Sequence, residues 1–285
     1  MTLQLIAQQN PLFFYSFLFV FSLCIGSFLN VVIYRIPIML QRAWRAEAQS
    51  VLALEPDQDE QKFNLATPNS TCPHCSSAIK PWQNIPLISY IFLRGRCASC
   101  QGSISIRYPA IELFTGIVSL LLAVKIGFNG QLLALLFFSY VAIALAAIDY
   151  DTKLLPDNMV LPLLWLGLLL NSQNLFVSLH DAVFGAVVGY GFLWSIFWLF
   201  KLVTGKEGMG YGDFKLMAVF GAWFGWQLLP NIILLSSLLG AVIGIAMIAS
   251  GRIEKAEPIP FGPFIILAGF LTAVYPEYFI LSHYF

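Results

Sequence analysis

Apolar residues in this chain fall in long, nearly unbroken runs, neither the alternation of a half-buried strand nor the stripe of a surface helix. Several of these runs approach the ~20 residues that a helix needs to cross a bilayer. Marking them gives eight expected helical spans, at roughly 12–34, 109–126, 131–149, 159–173, 181–201, 213–229, 231–249 and 262–281. The fourth and sixth are short and interrupted. Between the first two spans the pattern changes: prolines, charges and amides rise, and the acidic stretch 55–60 reads as a solvated loop. The chain therefore divides into a first span (1–35), an insert (36–108) and a bundle of further spans (109–285).

Composition turns this pattern into a class. The 285 residues are 59% hydrophobic and 11% charged, with a mean hydropathy of +0.78. Soluble domains carry about a quarter charged residues, so an all-α polytopic membrane protein is expected, with the lipid bilayer as its surroundings. The first apolar run is long for a signal-peptide core. It lacks a basic stretch before it and a small-residue cleavage site after it, so it reads as a retained span. With an outside N-terminus, 14 of the 15 Lys and Arg lie in or beside inward segments, and only Lys125 lies outward. The positive-inside rule then makes the insert cytoplasmic. No nucleic-acid partner is expected.

The insert carries Cys72-Pro-His-Cys75 and Cys97-Ala-Ser-Cys100, which hold four of the five cysteines. In a cytosolic setting structural disulfides are rare. Two C-x-x-C turns instead make a tetrahedral four-thiolate zinc site with no open position, which is structural and not catalytic. A metal staple suits an insert of about 70 residues, whose own core is small. A redox role is the lesser reading, since no thioredoxin-like pattern surrounds either pair. His74, between two ligands, reads as a solvated turn residue, with replacement of a cysteine ligand as the alternative, and Cys24, inside the first span, reads as packing.

Chemistry is expected from two acids at the cytoplasmic edge of the spans. Asp149 ends the apolar run 132–148, and Asp213 opens another after the glycine-rich turn 205–212. An acid at a membrane boundary reads as functional by default. Two that share one proton can activate a water and protonate a leaving amine, which is peptide-bond chemistry without a metal or a nucleophilic side chain. The alternative for each is a helix cap or an interfacial charge. Asp149 shares its loop with Asp151 and Asp157 and is chosen because it lies nearest the hydrocarbon. Asp157, after Pro156, fits an N-cap, and Asp151 a solvated charge. Lys215 reads as an interfacial anchor, with tuning of the acidic pair as the alternative. Asn30 and Glu112 are polar groups in apolar runs and should face the interior with hydrogen-bond partners.

Several motifs occur in one order: Gly26-Ser-Phe-Leu-Asn-Val-Val-Ile-Tyr-Arg35, the paired C-x-x-C insert with Arg94-Gly-Arg-Cys97, Arg107-Tyr-Pro-Ala-Ile-Glu112, Ile148-Asp149 with Leu154-Leu-Pro-Asp157, and Gly210-Tyr-Gly-Asp-Phe-Lys215. Together they resemble the type IV prepilin peptidases over nearly the whole chain. The resemblance implies a bacterial inner-membrane aspartic peptidase that removes the basic leader of prepilins and pseudopilins on the cytoplasmic side. It further implies methylation of the new N-terminus with S-adenosylmethionine. The family's catalytic pair falls on Asp149 and Asp213, and its zinc cysteines on Cys72, Cys75, Cys97 and Cys100. No glycine-rich fingerprint marks a methyl-donor site, so that activity comes from the resemblance alone.

Two rivals stand against this reading. A transporter or channel with a zinc domain would use the acids for a coupling cation. It should show an inverted repeat and acids at the bilayer midplane, and neither pattern is present. A signal-peptide peptidase of the Gly-x-Gly-Asp type shares the paired acids, but neither the cysteine insert nor the Gly-Ser-Phe-Leu-Asn motif fits it.

Overall fold

A computed structural model describes residues 9–54, 62–251 and 259–279. The acidic stretch 55–60, Arg252, Lys255 and the last residues of the eighth expected span lie outside the described residues. The fold is all-α, and no β-strand occurs among the described residues. In chain order the helices are α1 (Pro11–Val51), a short α2 (Ile88–Phe92), α3 (Arg107–Ile126), α4 (Gly130–Thr152), α5 (Asp157–Asn171), α6 (Leu179–Thr204), α7 (Tyr211–Phe224), α8 (Leu229–Ala249) and α9 (Gly262–Val274).

Five of these are long and apolar enough to cross a membrane: α1, α3, α4, α6 and α8 with its preceding turn. In place of the fourth, sixth and eighth expected spans stand α5, α7 and α9, of 15, 14 and 13 residues. At 1.5 Å per residue they reach only about 20–22 Å, against a hydrocarbon core of about 30 Å. The first helix departs in the other direction. It has 41 residues and runs through Pro37 to Val51, well past the expected end near 34. Beyond Pro37 the residues turn polar but remain strong helix formers, so the change in composition marks the end of hydrocarbon and not the end of the helix.

The chain forms two compact units, Met1–Ala144 and Leu145–Phe285. In the first, α1 packs on α3. Gly26 lets the two backbones approach, since a Cβ there would lie 2.7 Å from the Cα of Glu112. Polar groups in this pair are matched as the sequence leads one to expect. The amide of Asn30 donates to the carbonyls of Gly26 and Tyr108, each at 3.2 Å. The carboxylate of Glu112 accepts from the backbone N–H of Leu87 at 2.8 Å. Above them the buried Arg35 donates to the carbonyls of Asn64 and Pro68 at 2.8 and 2.6 Å, with its guanidinium over the ring of Phe63. The polar end of α1 thereby holds the start of the described insert. Cys24, expected to pack, is exposed on α1 instead.

The second unit is organised around α7. From Asp213 to Phe224 every residue except Lys215 is buried, as befits a helix that is apolar all round. Its close neighbours are α5, α6 and α9. Against α6 the contact is backbone to backbone, at Gly185 on Gly221 and at Gly189 on Met217, a spacing any side chain would forbid. At the far end Trp223 donates its indole N–H to the carbonyl of Leu163 at 2.8 Å. Asn171 spends its whole amide there: it donates to the carbonyls of Ala222 and Trp223 at 2.9 Å and accepts from the N–H of Phe176 and Val177. These bonds satisfy carbonyls that a helix end otherwise leaves open.

Candidate active site

The three short helices begin at one place and run the same way. Gly167 and Asn171, in the second half of α5, lie against the end of α7, and Gly269, mid-way along α9, lies against Phe220. At their starts, Leu155 just before α5 packs against Gly212 of α7 and comes near Gly262 of α9. A helix N-terminus carries the positive end of the helix dipole, an arrangement that favours negative charge.

Both expected acids sit at this convergence. Asp149, one turn from the end of α4, is 5% exposed, and Asp213, in the first turn of α7, is 6% exposed. Oδ2 of Asp149 accepts the backbone N–H of Gly262, the first residue of α9, at 2.9 Å. Oδ2 of Asp213 accepts the N–H of Gly210 at 3.1 Å, the reach from third helical residue to N-cap that fixes a helix start. Leu155 links the two places: its side chain lies against Gly212, next to Asp213, and near Gly262, whose amide holds Asp149. Each acid is thus buried and held at one oxygen by a backbone donor.

The other polar residues of the loop take different places. Asp157 is exposed and lies within α5 as its first residue, after Pro156 at the cap position, and makes no capping bond. It accepts instead from Lys215, whose Nζ lies 2.7 and 2.8 Å from its two oxygens. Lys215, read from sequence as an anchor, therefore ties the start of α7 to the start of α5 at the rim of the site. Asp151 is exposed. Sequence reasoning missed the two backbone donors and this ion pair. Gly262 stands in Pro260-Phe-Gly-Pro263, a stretch whose letters give no sign of the distant carboxylate that its amide holds.

In the first unit the four cysteines come together. Their sulfurs all lie within 4.8 Å of one another, and Cys72 and Cys100 are 3.9 Å apart. Ligands at 2.3 Å around a tetrahedral zinc would be about 3.8 Å apart, so the donor set fits that ion. Two matching turns build the cluster. Cys72 N–H bonds the carbonyl of Ser77, and Cys97 N–H that of Gly102. Ser76 and Gln101 take the left-handed conformation at the same point of each turn, with φ of 57° and 59°. Hydrogen bonds from Ser77 pull the Cys75 thiol down to about 6, and backbone donors at Cys100 and Ser99 pull Cys97 down. Cys100 is pushed up to about 11: the Gly102 amide favours its thiolate, but burial and the other sulfurs outweigh it. Thiolate, the form that binds metal, is therefore favoured at Cys75 and Cys97 and disfavoured at Cys100. His74 is exposed, with its ring beside Gly102.

The apolar helices, the buried pair of acids at the meeting of three helix starts and the four-cysteine cluster together define a class: polytopic all-helical membrane proteins. Family models match in the same two parts. The bacterial peptidase A24 N-terminal domain matches residues 20–126, and the type IV leader peptidase family matches residues 136–245. Among curated relatives, the prepilin leader peptidase/N-methyltransferase of Stutzerimonas stutzeri is 53% identical over 96% of this chain and 95% of its own length. That of Pseudomonas aeruginosa is 53% identical over 94% and 93%, and that of Aeromonas hydrophila 52% identical over 95% and 94%. No solved structure matches. The chain belongs to the type IV leader peptidase family.

Proposed function

We propose that this protein is a bacterial inner-membrane aspartic peptidase that removes the leader of prepilins and pseudopilins at the cytoplasmic face and then methylates the new N-terminus. The observation that carries the reading is the pair Asp149 and Asp213, each nearly fully buried, each held by one backbone N–H, at helix starts that Leu155 brings together. In hydrolysis one carboxylate removes a proton from a water as its oxygen adds to the scissile carbonyl. The other carboxyl, protonated, donates to the carbonyl oxygen. Collapse of the tetrahedral intermediate moves a proton to the leaving amine and restores the shared proton to the pair. The bound amides leave the other oxygen of each acid for this work.

The side of the membrane follows from charge: 14 of the 15 Lys and Arg belong to segments that share a face with the two acids under the expected topology. The insert over 36–108 is then cytosolic, and Cys72, Cys75, Cys97 and Cys100 hold a structural zinc that contributes folding free energy to it. Methyl transfer, with S-adenosylmethionine as donor, is carried over from the function named for the relatives. One experiment tests the whole reading: the detergent-purified protein is incubated with a prepilin and S-adenosylmethionine, and intact mass is followed. Loss of the leader mass followed by a methyl gain is expected. An uncut substrate with correctly folded enzyme overturns the reading.

A further inference from the structure

The insert is not polar throughout. Within residues 81–92, Trp82, Ile85, Ile88, Ile91 and Phe92 are all exposed, Ile91 by 72% and Phe92 by 80%. A water-soluble surface rarely leaves so many large apolar side chains together in so short a stretch. The flanks are basic, with Lys80 before the stretch and Arg94 and Arg96 after it.

Hydrogen bonds fix the level of this stretch relative to the spans of its own unit. Leu87, in its middle, donates its N–H to Glu112 at 2.8 Å. Glu112 is the sixth residue of α3, which starts at Arg107. Helical side chains point back toward the N-terminus, so the carboxylate lies over the first turn of that span. The carbonyl of Tyr108, in the same turn, is bonded by Asn30 of α1. Leu87 is therefore level with the points where α1 and α3 pass from hydrocarbon to polar surroundings, marked by the exposed ring of Tyr108. Tyrosine and tryptophan gather at that depth. Next to Glu112 on α3, Leu113 and Phe114 are exposed and apolar as well.

We propose that residues 81–92 dock into the bilayer, lying in the headgroup–acyl boundary of the leaflet on the side of the cysteine insert, with phospholipid as the occupant of their apolar face. Short interfacial elements of this kind bury their apolar side about 5–10 Å deep, with basic residues at headgroup level. Ile88, Ile91 and Phe92 would enter the acyl region, Trp82 would sit among the carbonyls, and Lys80, Arg94 and Arg96 would reach phosphates. Together with the spans on either side, this docking holds the cysteine cluster at the membrane surface. Phospholipid is favoured over a protein because the stretch is bonded to the sixth residue of α3, a helix long and apolar enough to cross a membrane, at the level of its first turn.

The test places the photoreactive residue benzoylphenylalanine at position 91 or 92 of the full chain in phospholipid nanodiscs. Position 133, on the exposed face of α4, serves as the lipid reference, and position 69, in the polar insert, as the aqueous one. Lipid adducts at 91 and 92 should approach the yield at 133 and exceed that at 69 by about tenfold. Yields no higher than at 69, or prepilin adducts that displace lipid adducts when substrate is added, overturn the proposal. A second measurement needs no altered residue in the patch besides Trp82: the emission difference between the wild type and Trp82→Phe. Quenching by lipids brominated near the carbonyl end of the chain, with protection from iodide, is expected. Quenching by iodide alone overturns it.

Discussion

The carboxylate of Asp149 is held by the backbone N–H of Gly262, a residue 113 positions further along the chain. The contact is close in two senses: the bond is 2.9 Å long, and a Cβ on Gly262 would lie 2.6 Å from the accepting oxygen. Gly210, which performs the same service for Asp213, has room, because its Cβ would meet nothing nearer than Asp213 Oδ2 at 3.7 Å. Gly262→Ala should therefore displace the Asp149 carboxylate and lower prepilin cleavage by about 10²-fold, as misplacement by an ångström can. Gly210→Ala should stay within a few-fold of wild type. Equal rates for the two variants, measured on purified protein of matched fold, would mean that the amide contact does not position the acid.

Asp149→Asn and Asp213→Asn should each reduce cleavage by at least about 10²–10⁴-fold while the protein remains folded. An amide is nearly isosteric with a carboxylate, and its oxygen can still accept the Gly262 or Gly210 N–H, so packing survives. It cannot exchange the shared proton, so acid and base roles are lost together. Asp151→Asn should cleave nearly normally. An active Asp149→Asn beside an inactive Asp151→Asn would show the wrong acid to have been chosen.

The pair Asp157–Lys215 should matter less. Its members are 55% and 28% exposed, and pairs of that exposure typically contribute about 0.2–1 kcal/mol. Asp157→Asn and Lys215→Met should each lower stability by no more than about that amount, and the double variant should lose little more than either alone. Thermal or denaturant unfolding of the four proteins gives the coupling directly. A cleavage loss as large as that of Asp213→Asn in either single variant would move the pair from the rim of the site into its chemistry.

How much of this was legible beforehand follows from where the information lay. Membrane class, the insert, the four cysteines and the two acids are written in local sequence: run lengths, C-x-x-C spacing, and carboxylates at the ends of apolar runs. The fourth run was already short, and α5 matches its 15 residues; the ends of α7 and α9 were not legible, because hydropathy continues past Gly225, where α7 stops, and past Val274, where α9 stops. Nor was the 41-residue length of α1, since a change from apolar to polar residues leaves helix propensity untouched. The role of Gly262 was hidden for a different reason. A backbone N–H carries no side-chain signature, and its partner is 113 residues away. Asp157 was misread as a cap because proximity to Pro156 was visible and Lys215, 58 residues on, was not.

The cysteine cluster predicts about one zinc per chain. Substituting Ser for Cys72, Cys75, Cys97 or Cys100 should each lower the bound zinc and loosen the insert, because the site's binding energy is folding energy. Cys24→Ser, on the exposed face of α1, should keep it. Elemental analysis with protease sensitivity of residues 72–100 reads both effects, and a wild-type protein with no zinc and four reactive thiols would remove the metal from the structure.

The last prediction separates the two reactions. The acids lie in the unit Leu145–Phe285, whereas the cysteine cluster lies in Met1–Ala144, so each unit contains one of the two chemically distinctive sites. In the proposed mechanism hydrolysis uses the acids. Methyl transfer to an amine needs the amine deprotonated and the donor's methyl carbon in line with it, and neither requirement calls for a shared carboxyl proton. If the cysteine-bearing unit organises that step, Asp149→Asn and Asp213→Asn should still methylate a pilin supplied with its leader already removed, at rates within a few-fold of wild type. Cys→Ser variants should show the reverse pattern, losing methyl transfer more than cleavage. The measurement is transfer of label from S-adenosylmethionine to pre-cut pilin by each purified variant. Loss of transfer in both Asp variants, with the membrane fold intact, would mean that one site performs both reactions and that the acids orient the new N-terminus as well as create it.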